Sequence, residues 1–355
     1  MIALVLAVGL SVWACGGDEE DDEDKDGDDD DSSTPLDQAG NDYRDALPDV
    51  ASLTLSMPES EGSKGLGELA TLYDATVDFT RDVNGHFLLY LGHIDEITSY
   101  EPTSQEGDTL TWGPWTDPYT PPTTAEMLFE MTLVADSTYE YFLKWRIKDS
   151  GEDWTNIWVG YTEHNTSTAR RGVGYFNVYA TEAKAIDPTI NESGTIFVDY
   201  DTVNDGRRID IEYEDFYSEE WEGGEGPSEA IDATYNYYSH ADGIGEFLFD
   251  WWDDAQRELP GEEYHNMEHY WFSTRWQAAG AGRSDVIITE GDLEDIGIDY
   301  YGSPIESVNV SECWGNDFMR AYYVTTVYFE NGPGAPEVEG EGSACVFDEQ
   351  FPETK

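Results

Sequence analysis

The residues best suited to chemistry lie at 265–269, where His-Asn-Met-Glu-His matches the zinc-binding pattern H-x-x-E-H. On a helix, residues four apart share one face, so His265 and His269 would reach the same metal ion. The residues of 264–277, however, are aromatic and alternate in polarity, which is typical of a strand. On a strand the two histidines would be about 13 Å apart, too far for one ion. We therefore expect polar residues on the wet face of a strand and predict no metal site.

Other catalytic patterns are missing or follow from composition. The sequence has no G-x-S-x-G motif, and the glycines of 65–67 lack the preceding strand and the third glycine of a nucleotide-binding loop. The acidic pairs at 253–254 and 262–263 could be imagined as glycosidase carboxylates, but with 77 acidic residues such neighbours arise by chance. We predict that the protein is not an enzyme and that it binds no cofactor.

Tryptophans are the remaining candidates for a ligand site. Trp112 and Trp115, together with the adjacent Trp251 and Trp252, could form a platform that stacks on sugar rings or could line an apolar cavity. The alternative is that they are core residues or cross-strand pairs, which is the commoner role of aromatic side chains in strands.

The first residues predict where the protein lies in the cell. The apolar run 2–14 is shorter than the roughly 20 residues that span a bilayer, and it ends in Val-Trp-Ala-Cys at 12–15. It resembles a bacterial lipoprotein signal peptide, with Cys15 as the acylated residue and mature N-terminus. Trp13 is bulkier than usual there, and no basic residue precedes the run. The alternative, a buried N-terminal strand, would place an apolar edge beside about a dozen carboxylates. Since Gly16 follows the cysteine, the resemblance implies an outer membrane lipoprotein of the cell envelope.

The two other cysteines agree with export. Without Cys15 they are an even pair, Cys313 and Cys345, which predicts a disulfide in an oxidising compartment. Closing this loop should stabilise the fold by about 3.5 kcal/mol and attach a last strand, 343–347, to the body. Two separate buried thiols are the alternative. A zinc site is weaker still, because no further thiolate or nearby histidine completes a tetrahedral set.

The negative charge of the chain limits its possible partners, and the acidic run near its start predicts a solvated tether. The formal net charge is -60, and residues 18–31 are all acidic except Lys25 and Gly27. Such a chain repels nucleic acids and anionic lipid surfaces, so we expect contact with a membrane through the lipid anchor alone. Because charges this dense cannot collapse, 15–47 should be a disordered acidic tether, followed by one domain at 48–355.

Hydrophobic periodicity predicts a helical segment at 66–98 after a first strand at 49–57. The helix pattern could be interrupted near Gly85. The rest alternates as strands do, with the hairpin turn 136–138 as one clear connection. The predicted strands are 125–134, 139–147, 154–162, 173–180, 195–201, 207–214, 230–239, 244–252, 266–278, 284–289, 307–313, 320–329 and 343–347.

These elements predict an α+β fold that is mainly β. Because strands follow one another through turns without helical crossovers, we expect a curved antiparallel up-and-down meander of about 12 strands. This open or closed barrel should wrap or cap the helical segment. Its apolar face should carry Tyr141, Leu143, Trp145, Phe176 and Val178.

One internal repeat is visible. The sequence at 172–178 is similar to that at 243–249, and the sequence at 206–211 is similar to that at 282–287. Each copy would span four predicted strands, which indicates a duplicated unit that extends a single sheet.

Four tracts resemble a family of uncharacterised exported bacterial lipoproteins: G-A-G-R-S-D-V at 280–286, G-D-L at 291–293, E-C-W at 312–314 and A-C-V-F at 344–347. Members are similar in having an acidic linker behind the acylated cysteine and a loop like W-G-P-W, here 112–115. The resemblance covers about residues 48–350 and implies that Cys313 pairs with Cys345. It implies no activity.

Two functions from different classes remain. The first is a non-enzymatic envelope lipoprotein with a binding or structural role. The second is a carrier whose half-barrel holds an acyl chain or another apolar ligand, with the helix as a plug. A cavity between sheet and helix would favour the carrier, and a sheet face filled by its own side chains would favour the first. Glycan binding through exposed tryptophans is a weaker third hypothesis.

Overall fold

A computed structural model describes residues 35–58, 69–116, 125–203, 206–217, 230–253, 267–291, 293 and 304–352. The N-terminal run with Cys15 and the residue His265 lie outside these ranges. Within them, most residues belong to one antiparallel sheet with a long helix on its concave face. None of the helices in these ranges is both long enough and apolar enough to cross a bilayer.

Four helices lie in the described chain: α1 (Pro35–Ala46), α2 (Val50–Leu53), α3 (Thr71–Ser99) and α4 (Ala180–Ile186). The predicted helical segment 66–98 corresponds to α3, which continues through Gly85 without a break. The repeat of apolar residues every three or four positions places one buried stripe along its whole length, and that stripe faces the sheet.

Two predictions for the N-terminal part are wrong. The tether was expected to reach residue 47, but 35–46 form α1, because Tyr43, Ala46 and Leu47 find apolar partners and become buried. The strand expected at 49–57 is a short helix, α2, followed by extended chain. Asp49 and Ser52 close α2 with a capping box, in which each side chain accepts a hydrogen bond from the other residue's backbone N–H. The predicted tether residues 15–34 lie outside the described ranges.

Among the described residues, the sheet has 16 strands, each antiparallel to its neighbours. The order runs from β1 to β15 in sequence, and β16 pairs with β14, so the sheet has two ends and is an open meander. The strands are β1 (Ser104–Glu106), β2 (Thr109–Trp115), β3 (Ala125–Ala135), β4 (Thr138–Ile147), β5 (Thr155–His164), β6 (Gly172–Tyr179), β7 (Ser193–Asp201), β8 (Gly206–Tyr217), β9 (Ile231–His240), β10 (Gly245–Asp253), β11 (Glu268–Trp276), β12 (Gly282–Thr289), β13 (Ile305–Trp314), β14 (Arg320–Phe329), β15 (Gly332–Pro333) and β16 (Glu337–Gly340).

The predicted strands from 125 to 329 correspond one to one to β3–β14, which confirms the fold class. The strand predicted at 343–347 is wrong, because a 3-10 turn at Gly342–Ala344 stands there instead. The strands β1, β2, β15 and β16 were not predicted. They are short or contain Gly and Pro, so alternation is not visible in them. The loop expected at 112–115 belongs to β2, whose register with β3 shifts between Trp112 and Trp115.

The helix α3 crosses the concave face of the sheet. Near its start Tyr73 contacts Trp314 of β13, and further on Phe79 contacts Phe249 of β10. Toward its end Phe87 contacts Phe176 of β6. Successive turns of the helix thus meet strands of falling number, and its axis runs across the strands. The predicted apolar face is confirmed, since Tyr141, Leu143, Phe176 and Val178 are buried and Trp145 packs against the same core.

The N-terminal segment fills the concave face beside α3. The Tyr43 hydroxyl donates to the carbonyl of Asp108 at 2.6 Å, and the side chain of Asn84 on α3 bonds both the N–H and the carbonyl of Leu55. The Tyr237 hydroxyl on β9 donates to the carbonyl of Ser56 at 3.0 Å. The segment 43–57 therefore runs along the helix from the turn between β1 and β2 to β9, and it covers core beside the helix.

Candidate functional site

The disulfide predicted between Cys313 and Cys345 is present, with a Cα–Cα distance of 5.6 Å. We expected this disulfide to attach a last strand, but Cys345 follows the 3-10 turn and is not part of a strand. The disulfide attaches the C-terminal segment to β13, where Cys313 is fully buried. The sequence therefore predicted the pair correctly but assigned the wrong structure to one of its partners.

The C-terminal segment lies across the outer face of β11–β13, above a buried carboxylate. Asp285 has no exposed surface, and it accepts hydrogen bonds from the Arg283 Nε–H at 2.8 Å and from the Ser311 hydroxyl. The backbone N–H of Gln350 donates to its second oxygen at 2.8 Å, and Arg283 also pairs with Glu349 at 3.2 Å. These bonds fasten the chain end to the sheet.

The four candidate tryptophans do not converge on one site. Trp112 is 2% exposed, lies on the concave side of β2 and donates its Nε1–H to the Tyr100 carbonyl at 2.9 Å. Trp115 packs against the same core beside Gly113. Both rings therefore agree with the alternative of core residues rather than with a surface platform. The side chain of Trp251 lies outside the description.

Trp252 lies many strands away on β10 and is partly buried against the core. Its ring stacks on His269 at 4.2 Å between centroids, and Trp271 contacts the same imidazole at 4.4 Å. The Nε2 atom of His269 is 3.9 Å from the carboxylate of Asp250, which is held by the N–H and the hydroxyl of Thr234. His269 is on β11, as the alternation predicted, but it is 9% exposed rather than on a wet face. Within the described ranges, no three His, Cys, Asp or Glu side chains are grouped to hold a metal ion.

Sequence reasoning missed a polar pair between α3 and the sheet. The Nδ1 atom of His86 is 2.7 Å from the Tyr213 hydroxyl on β8. Burial lowers the pKa of His86 to about 4, and burial raises the pKa of Tyr213. Both groups are therefore neutral at pH 7, so the imidazole and phenol share a hydrogen bond without exchanging charge. The pair fixes the rotation of α3 on the sheet.

A second missed cluster caps the start of α3. The N-cap residue Ala70 has no side chain to bond the free N–H groups, and Glu312 of β13 takes this role. Its carboxylate accepts from the Leu72 N–H at 2.5 Å and from the Arg320 Nε–H at 2.6 Å, and Arg320 also donates to the Thr71 hydroxyl at 2.7 Å. Desolvation raises the pKa of Glu312, while the bonds to Leu72 and Arg320 oppose that rise. A negative charge here also meets the positive end of the helix dipole.

The described residues thus form one open antiparallel meander. A helix and an N-terminal segment pack in its concavity, and buried polar groups join them to the sheet. Comparisons of the chain with protein families, with curated proteins and with solved structures find no match. The resemblance to exported bacterial lipoproteins therefore stays a prediction.

Proposed function

We propose that this chain is an exported lipoprotein of the outer membrane, anchored through an acyl group on Cys15, whose β-rich domain has a non-enzymatic binding or structural role. Two features support this proposal. The disulfide between Cys313 and Cys345 suits an oxidising compartment. The apolar run that ends at Cys15 and the acidic tract behind it suit a lipid anchor and a solvated spacer.

The contacts between α3 and the concave face of the sheet favour a structural role over a carrier role. Phe79 of α3 lies 4.4 Å from Phe249 and 5.8 Å from Phe272, measured between ring centroids. Rings this close are in direct contact and leave no room for an acyl chain between them. The helix and the N-terminal segment 43–57 take the place that a ligand would occupy in a carrier.

The glycan-binding alternative loses support for a similar reason. Trp112 is a core residue, and Trp252 is stacked on His269 rather than presented as a flat surface. Enzymatic activity also gains no support from the buried polar groups. His86 and Glu312 each have assigned hydrogen-bond partners and serve packing contacts between α3 and the sheet.

Intact-mass analysis of the purified membrane fraction tests the proposal. The expected species begins at Cys15 and carries the added mass of the acyl groups, and the variant Cys15→Ser is expected in the soluble fraction with its signal intact. Cys345→Ser serves as the control, because it removes a cysteine without affecting the anchor. Full-length chain in the cytoplasm with both C-terminal thiols reduced would contradict the proposal. A stoichiometric lipid that co-purifies without a covalent bond would favour the carrier.

A further inference from the structure

The outer face of the sheet carries a row of side chains that plays no part in the packing described above. It consists of Glu140 on β4, Tyr161 on β5, Tyr175 on β6 and Asp199 on β7, and we call it the outer row. The strand registers place each of these residues directly opposite the next. Because residues opposite each other on neighbouring strands have close Cβ atoms, the four side chains are contiguous.

The two tyrosine rings of the outer row are stacked. Their centroids are 5.9 Å apart, and their planes differ by 13°. Each ring uses one face for this contact, and the register places Glu140 next to Tyr161 and Asp199 next to Tyr175 at the two ends of the stack. Tyr175 is 39% exposed, and Val173 beside it on the same strand is 42% exposed. Tyr175 is thus open to a partner from solvent, and Tyr161 is partly exposed beside it.

The carboxylates at both ends of the outer row are not neutralised. Glu140 and Asp199 are exposed, and neither forms an ion pair or a side-chain hydrogen bond with any residue that the structure describes. The neighbouring basic side chains are already engaged, Lys144 with Glu130 and Arg208 with Asp210.

Asp199 is placed where a negative charge is costly. It lies directly opposite Asp210 of β8, and like charges in this position destabilise a sheet. Asp210 is compensated by Arg208 and by the amide of Asn236, which donates at 2.9 Å. Asp199 has no such compensation from the described part of the chain. A cation supplied from outside would relieve this repulsion.

We propose that the outer row is a docking site for a basic, arginine-containing segment of a partner protein. A guanidinium group is planar, stacks on an aromatic face and forms two parallel hydrogen bonds with a carboxylate. Each end of the row offers this combination of one tyrosine ring and one carboxylate. A nucleic acid or an anionic lipid surface would be repelled by the same carboxylates. The proposal rests on the proposed function in one respect, that the domain is a binding protein, and it adds the chemistry of the partner.

The test has to separate docking from general attraction, because a chain with a net charge of -60 attracts any basic peptide. We would titrate purified full-length protein against a fluorescent peptide that carries arginines spaced by Gly-Ser, and follow its anisotropy near physiological salt. The variants are Asp199→Asn, Tyr175→Val and Glu140→Gln. The matched control is Glu212→Gln, which removes one exposed charge from β8 outside the row. The far-UV and near-UV circular dichroism of every variant verifies its fold.

We expect each variant of the row to raise the Kd by about threefold to tenfold, and the control to raise it by less than about twofold. A peptide with lysine in place of arginine should bind more weakly, because an ammonium does not stack. The proposal is overturned if Glu212→Gln weakens binding as much as Asp199→Asn, or if Tyr175→Val, correctly folded, leaves the Kd unchanged. Solubilised protein binds the peptide whether or not Cys15 is acylated, so the anchoring proposal is decided separately.

Discussion

Gly245 of β10 and Trp276 of β11 lie directly opposite each other, and a Cβ atom on Gly245 would lie 2.1 Å from Cζ2 of the tryptophan. The glycine thus leaves the space into which the ring folds. The same relation recurs elsewhere on the concave face, in the opposed pairs Gly160 with Tyr141, Gly174 with Tyr200 and Gly282 with Trp314. Large rings can therefore lie close to the backbone of a strongly curved sheet.

This relation predicts opposite effects for two glycine substitutions. Gly245→Ala should lower the free energy of unfolding by about 2 kcal/mol, because the added methyl group forces Trp276 out of its packed position. Gly85→Ala on α3 adds the same methyl group where no atom lies within 4 Å. It should raise the free energy of unfolding by about 0.5 to 1 kcal/mol through helix propensity. Urea denaturation of the two variants measures both, and an unchanged midpoint for Gly245→Ala would show that the ring is not fixed.

Removing the charge that caps α3 should be costly. Glu312→Gln leaves Arg320 without its buried partner and weakens the bond to the Leu72 N–H, so we expect the free energy of unfolding to fall by about 3 kcal/mol. Glu339→Gln is the matched control, since Glu339 pairs with the same arginine at 3.6 Å but is 60% exposed. It should change the value by less than about 1 kcal/mol. Equal effects from the two variants in chemical denaturation would contradict the assigned role of Glu312.

The buried imidazole predicts a dependence of stability on pH. The pKa of His86 is lowered from 6.5 to about 4, so between these values the unfolded chain binds a proton that the folded chain does not. Stability from this residue is therefore present above pH 6.5 and is lost as the pH falls toward 4. The loss should be about 2 kcal/mol, less than the full shift would give, because the residue as a whole is only partly buried. His86→Gln should flatten this part of the profile, measured as the difference in unfolding free energy between variant and wild type at pH 7 and pH 4.5. A difference in unfolding free energy that does not vary with pH would contradict this prediction.

The disulfide should matter for the chain end and for total stability. The double variant Cys313→Ser, Cys345→Ser is expected to lose about 3.5 kcal/mol, because the unfolded chain is freed from a loop constraint. Amide exchange should rise in 345–352 and stay low in α3, since only the polar contacts of Asp285, Arg275 and Arg283 then hold the segment. Cys15→Ser provides the comparison, because it removes a cysteine that is not part of this disulfide. Unchanged exchange near Gln350 would indicate that the polar contacts are sufficient.

The sequence predicted the sheet well because its strands are long and half-buried. In β4, for instance, Tyr141 and Leu143 alternate with Glu140 and Lys144, and one face lies in the core. Short elements were missed because too few residues show a period. The residues of α2 resemble a strand when their sequence is considered alone. In the structure they form a helix, which the capping box of Asp49 and Ser52 stabilises. The repeat also has a structural meaning, since Gly174 of β6 and Gly245 of β10, at matching positions, each lie beneath a ring of the next strand.

The candidate sites were harder to predict. Glu312 could have been noticed, because Val308, Val310 and Trp314 share its inward face and a lone acid among them is unusual. Nothing in the sequence links it to Leu72, which lies 240 residues away. The sequence left two roles open for the tryptophans, and only the packing of Trp112 and Trp115 against the core favours one of them.

Local pattern alone determined the alternation of β3–β14, the apolar stripe of α3 and the pairing of two cysteines, since each depends on residues that are neighbours or on simple parity. Only the tertiary structure shows which segments cover the concave face, which acidic residue caps α3 and which aromatic ring packs over each glycine. These are contacts between residues far apart in the chain, and they form because burial leaves no water to satisfy a free N–H group or to fill the space beside a ring.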